Sequence, residues 1–174
     1  SQKWPSIVYL RIFVPFFLNN YDMLIYLDAD VHCRYFDERI WNLDLPGGLA
    51  AVHDSHIGIS TPLQVKLGKR EWLDSIGVSG TRYFNSGVLI IHVKSWCQLD
   101  FAIMLSDYFN TFGDSVYMFD QDFLNYVFQG RWTEVSPQWN FQACIFSYGY
   151  EQFFNPIFYH YSQPDKPWFG YHGF

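Results

Sequence analysis

Asp28 and Asp30 stand one residue apart after the apolar run MLIYL, residues 23–27, in the stretch YDMLIYLDADVHCRYF. Alternation along an extended chain sends residues i and i+2 to the same side, so this spacing aims two carboxylates at one point while Ala29 faces away. Two anionic oxygens held together at low effective dielectric repel strongly unless a cation lies between them. The chemistry such a pair supports is the binding of a hard divalent ion. The pattern alone is weak, because a second D-x-D occurs at Asp120 and Asp122. Context separates the two: the first ends an apolar strand, where open α/β sheets gather ligands, whereas the second opens a helix.

A third ligand must come from elsewhere. Six histidines are available, and imidazole is common outside metal sites. His53 and His56 have H-x-x-H spacing but lack the glutamate of H-E-x-x-H. His160 lies just ahead of Lys166 in HYSQPDKPW, so one loop could supply a metal ligand and a phosphate-binding ammonium together. Arg11 is an isolated cation on an apolar element, readable either as a snorkelling surface arginine or as a ligand contact.

The elements that must position these groups follow from periodicity. Residues 6–18, SIVYLRIFVPFFL, read as a helix capped by Ser6, with apolar positions at Ile7, Leu10, Val14 and Phe17 and a kink or early stop at Pro15. MLIYL is a continuous apolar run of strand length, which suits a strand covered on both faces. LAAVH at 49–53 and YFNSGVLIIHV at 83–93 are further strands, the latter with Asn85 and Gly87 at its entrance. Thr61-Pro62 opens a helical stretch that Gly77 ends. Cys97 to Phe112 reads as a helix with a face of Phe101, Leu105, Tyr108, Phe109 and Phe112, and DQDFLNYVF at 120–128 as a shorter one with Asp120 as its N-cap. From Pro156 onward the chain lacks periodicity and reads as an ordered loop. Alternating strands and helices predict an α/β sheet with parallel members, forming a single domain over residues 1–174.

Bulk properties bound the function. With 174 residues, 49% hydrophobic and 16% charged, the chain can bury a sizeable core. A net charge of -6 and a pI near 5.3 disfavour nucleic acid, which is bound mainly by clustered Lys and Arg. An acidic protein that handles a phosphorylated ligand must reverse the local sign, and a divalent cation is the usual device. The high aromatic content reads mainly as core rather than as platforms for sugar rings. Cys33, Cys97 and Cys144 have no C-x-x-C spacing, so the expectation is neither a disulfide framework nor a zinc knuckle, and a cytoplasmic setting. The sequence has no apolar run of about 18 residues and no charged-then-apolar leader, so neither a membrane span nor a signal peptide is expected.

In order along the chain, YLRIFVPFFLNNYDMLIYLDADV, YFNSGVLIIHVKSW, FDQDFLNYVF and HYSQPDKPW resemble the retaining nucleotide-sugar transferases of glycosyltransferase family 8, which include glycogenin-like enzymes and bacterial lipopolysaccharide galactosyl- and glucosyltransferases. The resemblance covers residues 4–168. It implies a GT-A fold, a mixed sheet flanked by helices, that binds a UDP-sugar and Mn2+, with Mg2+ as the alternative ion, and transfers a hexose with retention. Asp28 and Asp30 match the family's metal-binding D-x-D and His160 its third protein ligand. Arg11, Asp28, Asn85 and Lys166 match donor-binding positions, with Lys166 on the diphosphate. Asp120 and Gln121 match residues facing the anomeric carbon, and Asp54 falls where such enzymes contact sugar hydroxyls. Two departures stand out: Gln163 replaces the family's usual glycine, and no upstream βαβ segment precedes Trp4 to form a uracil pocket. The chain therefore reads as truncated at its start.

The implied partners are a UDP-sugar donor and a glycan or lipid-linked oligosaccharide acceptor, with no nucleic acid and with any peripheral membrane contact lying outside this segment. Breaking a glycosyl phosphate bond builds charge on the diphosphate, which a metal and Lys166 would stabilise. Gln121 is a poor nucleophile and Asp120 the available carboxylate, so same-face attack by the acceptor hydroxyl is expected. Two other classes remain open at this stage: a two-metal nucleotidyltransferase or phosphohydrolase built on Asp28, Asp30 and Asp120, and a non-catalytic carbohydrate-binding remnant.

Overall fold

The computed structural model describes residues 6–55, 68–79, 82–163 and 166–169. A 3-10 turn, Ser6–Tyr9, leads into helix α1, Leu10–Phe17. Strand β1, Met23–Leu27, is followed closely by β2, Val31–Cys33, and then by β3, Leu49–His53. Helix α2, Lys69–Ser75, precedes the nine-residue strand β4, Phe84–His92. Helices α3 (Val93–Trp96), α4 (Phe101–Phe112) and α5 (Asp120–Phe128) come next. Short strands β5 (Thr133–Glu134), β6 (Phe141–Gln142) and β7 (Phe158–His160) complete the framework, with α6, Glu151–Phe154, between the last two.

The main sheet runs β1-β4-β3-β5 and a smaller one β2-β7-β6. β4 pairs antiparallel with both β1 and β3, while β3–β5 and β6–β7 are the parallel pairs. The mixed α/β sheet expected from the sequence is therefore present, with more antiparallel pairing than the strand–helix alternation suggested. β4 is buried along nearly its whole length, as its β-branched run predicts. Its inner face packs against Trp96, Phe101, Phe123 and Phe128, with Trp96 and Phe128 stacked at 5.1 Å. A second cluster of Ile40, Val52, Ile90 and Phe158 fills the opposite face.

Several local expectations are corrected. β1 lies at the margin of the four-stranded sheet and is half-buried, because it pairs only with β4 among the described strands. Across the 3-10 turn and α1, Ile7, Leu10, Val14 and Phe17 are exposed, while Ile12 and Pro15 are buried and Tyr9, Phe13 and Phe16 meet the core. This element is apolar around its whole circumference, so periodicity could not select a face. Two polar anchors set its roll: Arg11 reaches the acids described below, and Trp96 Nε1 donates to the Ile12 carbonyl at 2.9 Å. Pro15 sits inside α1, which ends at Phe17. The helix expected from Cys97 begins instead at Phe101, where Asp100 caps it by accepting from the Ile103 amide. Residues 158–160, expected within a loop, form β7 because their backbone pairs with both β2 and β6. The helix expected to open at Thr61-Pro62, and His56, lie outside the described residues; Gly77, at φ +76°, follows the end of α2 as a stop should.

Candidate active site

Asp28 and Asp30 do not lie on β1. They occupy a tight turn, closed by Val31 N donating to Asp28 O at 3.1 Å, that carries the chain from the main sheet into the small one. The turn, rather than strand alternation, brings both carboxylates to one side. It is pinned from both sheets: Asp28 N donates to Gly87 O at 2.8 Å, and Tyr161 N to Asp30 O at 3.0 Å. Val31 faces His160 across the β2–β7 ladder, so pairing delivers the imidazole to the acids.

His160 Nε2 lies 3.3 Å from Asp30 Oδ1 and 4.0 Å from Asp28 Oδ2. One ligand atom from each of the three residues falls within 4.8 Å of the others. Gly87 makes this approach feasible, since a Cβ there would sit 2.1 Å from His160 Cε1. A glycine inside a buried strand is the sequence signal of such a close approach. Two carboxylates and an imidazole suit Mn2+ better than an all-oxygen set would, so the donor chemistry fits a divalent ion.

Protein cations already neutralise part of the charge. Arg11 Nη1 is 2.9 Å from Asp28 Oδ1 and its Nε 3.2 Å from Asp120 Oδ2, while its guanidinium lies over the Tyr26 ring at 4.7 Å. The surface reading of Arg11 is thereby set aside. Tyr26 also donates to Asp28 Oδ1 at 2.7 Å. Lys166 Nζ lies 2.6 Å from Asp30 Oδ2 and also donates to the Tyr161 carbonyl. Burial acts to raise the Asp30 carboxyl but is overcome by hydrogen bonds from His160 and Lys166 and by their charge, which hold it well below the usual range.

Helix α5 supplies the other wall. Phe119 is the N-cap, at φ 51°, and Asp120 is the first helical residue with no capping bond, so the N-cap role expected for Asp120 is corrected. Its carboxylate is free of that duty and faces Arg11. Burial pushes it up to about 6, against the pull of Arg11 and with help from the Asp28 charge. Gln121 is held at both ends, its Oε1 accepting from Ser86 N at 2.9 Å and its Nε2 donating to Asp54 Oδ2 at 2.9 Å. Asn125, one turn on, accepts from Phe84 N and donates to Phe84 O, so α5 side chains pair with the β4 backbone much as a neighbouring strand would.

Asp54 extends from the end of β3, fixed by Gln142, whose amide bridges His53 O and Ser55 N on either side of it. Asn85 Nδ2 donates to the same Asp54 oxygen that Gln121 contacts, at 3.1 Å. The structure thus draws Arg11, Asp28, Asp30, Asp120, Gln121, Asp54, Asn85, His160 and Lys166 into one connected hydrogen-bonded and ion-paired network. His53 instead hydrogen-bonds at the Asp54 carbonyl.

The sequence reading passed over Tyr26 and Asn140, and gave Gly87 and Asp122 no role in the site. Asp122, fully buried, accepts from Tyr83 Oη at 2.5 Å and from the Tyr117 and Met118 amides at 2.8 Å, clamping the turn ahead of Asp120. Burial pushes it up to about 6, although those three donors favour its charged form.

This arrangement coincides with a match to the profile of Glycosyl transferase family 8 over residues 1–171. The chain belongs to glycosyltransferase family 8. General stress protein A of Bacillus subtilis is 29% identical over 97% of this chain and 61% of its own length. Lipopolysaccharide glucosyltransferase WaaO of Escherichia coli is likewise 29% identical over 97% of this chain and 50% of its own. The solved structure of the galactosyltransferase LgtC in complex with donor and acceptor sugar analogs superposes with a TM-score of 0.77 at 27% identity, covering 92% of this chain and 60% of that one. The family 8 fold here is the GT-A type of these transferases, and the chain spans about half to three fifths of the length of the curated relatives it matches.

Proposed function

We propose that this family 8 chain carries the catalytic centre of a retaining hexosyltransferase that moves glucose or galactose from a UDP-sugar to a hydroxyl of a glycan or lipid-linked oligosaccharide. The observation that carries the reading is the convergence of Asp28, Asp30 and His160 beside Arg11 and Asp120. The relatives named as lipopolysaccharide glucosyl- and galactosyltransferases supply the sugar and acceptor classes. Asp28, Asp30 and His160 would hold Mn2+, which supplies Lewis-acid stabilisation of the departing diphosphate.

The protein groups divide the remaining work. Lys166 exchanges Asp30 for a diphosphate oxygen when the donor binds, and Arg11 orients the donor between Asp28 and Asp120. Gln121, with both amide ends engaged, is a positioning group rather than a nucleophile. The Asp120 carboxylate, charged above about pH 6, stabilises positive character at the anomeric carbon as its bond to the diphosphate oxygen breaks, and the acceptor hydroxyl attacks from the leaving-group face and passes its proton to that departing oxygen. Asp54, bound by Asn85 and Gln121, faces the sugar hydroxyls.

A two-ion site on Asp28, Asp30 and Asp120 fits poorly, because the Arg11 guanidinium bridges Asp28 and Asp120 where a second cation would have to lie. Incubation with Mn2+ and single UDP-sugars or nucleoside triphosphates tests the choice. UDP release that depends on one UDP-hexose is expected. Pyrophosphate release from a triphosphate would overturn the reading, and glycan binding without UDP-sugar binding would leave a carbohydrate-binding module.

A further inference from the structure

We propose that Asn140 is a positioning residue that fixes which nitrogen of His160 faces the metal centre; this rests on the metal reading above. Asn140 is completely buried just ahead of β6, and no catalytic spacing in the sequence marks it. Its Oδ1 lies 3.0 Å from His160 Nδ1, and its Nδ2 donates to Asn85 Oδ1 at 2.9 Å.

The direction of these bonds follows from a single backbone group. Gly87 N can only donate, and it lies 3.0 Å from the Asn85 side-chain oxygen. That contact fixes the Asn85 amide with Oδ1 toward Gly87 and Asn140, and Nδ2 toward the Asp54 carboxylate. An oxygen facing Asn140 requires a donor in return, so Asn140 turns its NH2 toward Asn85. Only its oxygen is left for the imidazole, and an amide oxygen accepts. His160 Nδ1 must therefore carry the hydrogen. Nε2, the atom that faces Asp30 and Asp28, therefore donates to Asp30 while the ring is charged and carries the lone pair once the ring is neutral.

Without the Asn140 oxygen, the ring has a better acceptor on its other side. Nε2–H would donate to Asp30, and the lone pair would turn away from the carboxylates. The chain Gly87–Asn85–Asn140–His160 therefore holds the imidazole in its ligand form, and the Asn85–Asp54–Gln121 branch ties the same chain to the sugar-facing carboxylate.

The test uses the full 174-residue chain labelled with 15N-histidine. In metal-free protein at a pH where the ring is neutral, long-range 1H–15N spectra should show His160 of the wild type as Nδ1–H. Asn140→Leu should shift it toward Nε2–H and weaken binding of Mn2+ alone by about 10–100-fold, the usual loss when the partner of a ligating histidine is removed. Asn140→Asp, which keeps an oxygen acceptor, should restore Nδ1–H and most of the affinity. A wild-type ring that is Nε2–H overturns the proposal without requiring any variant to fold, and so does a folded Asn140→Leu that binds Mn2+ like the wild type. A wild-type ring that is Nδ1–H yet takes up no Mn2+ overturns the underlying metal reading, and the spectrum tells that failure from the other two.

Discussion

Arg11 Nε lies 3.2 Å from Asp120 Oδ2, joining helix α1 to the first residue of α5 across the mouth of the site. The pair is asymmetric, since burial of Asp120 raises its carboxyl to about 6 while Arg11 pulls it down. Arg11→Ala should lower kcat/KM by about 100-fold, the scale of losing one charge-stabilising donor. It should also move the acid limb of the pH–rate profile, measured at saturating Mn2+, to higher pH, because the remaining burial is then unopposed. Arg11→Lys should keep part of the rate. An acid limb that stays in place in Arg11→Ala would show that Asp120 is not the group being titrated.

Asp122 gives a stability prediction whose sign is opposite to that of a salt-bridged carboxylate. Its folded pKa, about 6, is above its ordinary value, so the folded state holds the proton more tightly. The favourable contribution is complete below the unfolded pKa and is lost as pH rises toward 6. The tighter hold on the proton corresponds to about 3 kcal/mol. Asp122→Asn keeps an oxygen for the Tyr117 and Met118 amides and removes the titration. Denaturant melts between pH 4 and about 7 should show this part of the pH slope in the wild type and not in Asp122→Asn. Parallel slopes would contradict it.

Lys166 Nζ lies 2.6 Å from Asp30 Oδ2, so it would compete with a metal bound there. Lys166→Ala should therefore bind Mn2+ alone more tightly than the wild type, yet bind UDP in the presence of Mn2+ more weakly, because the diphosphate loses its ammonium. Calorimetry of both ligands on both proteins checks the pair of outcomes. A loss for both would point to a structural role.

Gly87→Ala should damage the site out of proportion to one methyl group. The new Cβ meets the His160 ring at 2.1 Å, and overpacking of this kind costs about 1–3 kcal/mol. Either the ring or strand β4 has to shift. A midpoint lowered on thermal melting together with loss of Mn2+ affinity is expected; an unchanged affinity would mean that the ring has no need of its present position.

The sequence made the major elements legible where pattern and packing agree. β3 and β4 lie where LAAVH and YFNSGVLIIHV predict them, because a buried strand reads as a continuous apolar run. Asp120 opens α5, at the element end where its motif puts it, and His160 closes β7. What was not legible was long-range. The roll of α1 depended on where Arg11 and Trp96 found partners, and the convergence of Asp28 with Asp30 came from a turn pinned by Gly87 and Tyr161 rather than from strand alternation. Asn140 carries no spacing signal, because its importance lies in side chains brought to it from Asn85 and His160.

The central claim is that Asp28, Asp30 and His160 form one metal centre, and titration of Mn2+ followed by electron paramagnetic resonance tests it most directly. The account predicts a single tight site in the wild type that is lost in Asp30→Ala and in His160→Ala, with both variants retaining their far-UV circular dichroism. Undiminished Mn2+ binding in either folded variant would contradict it.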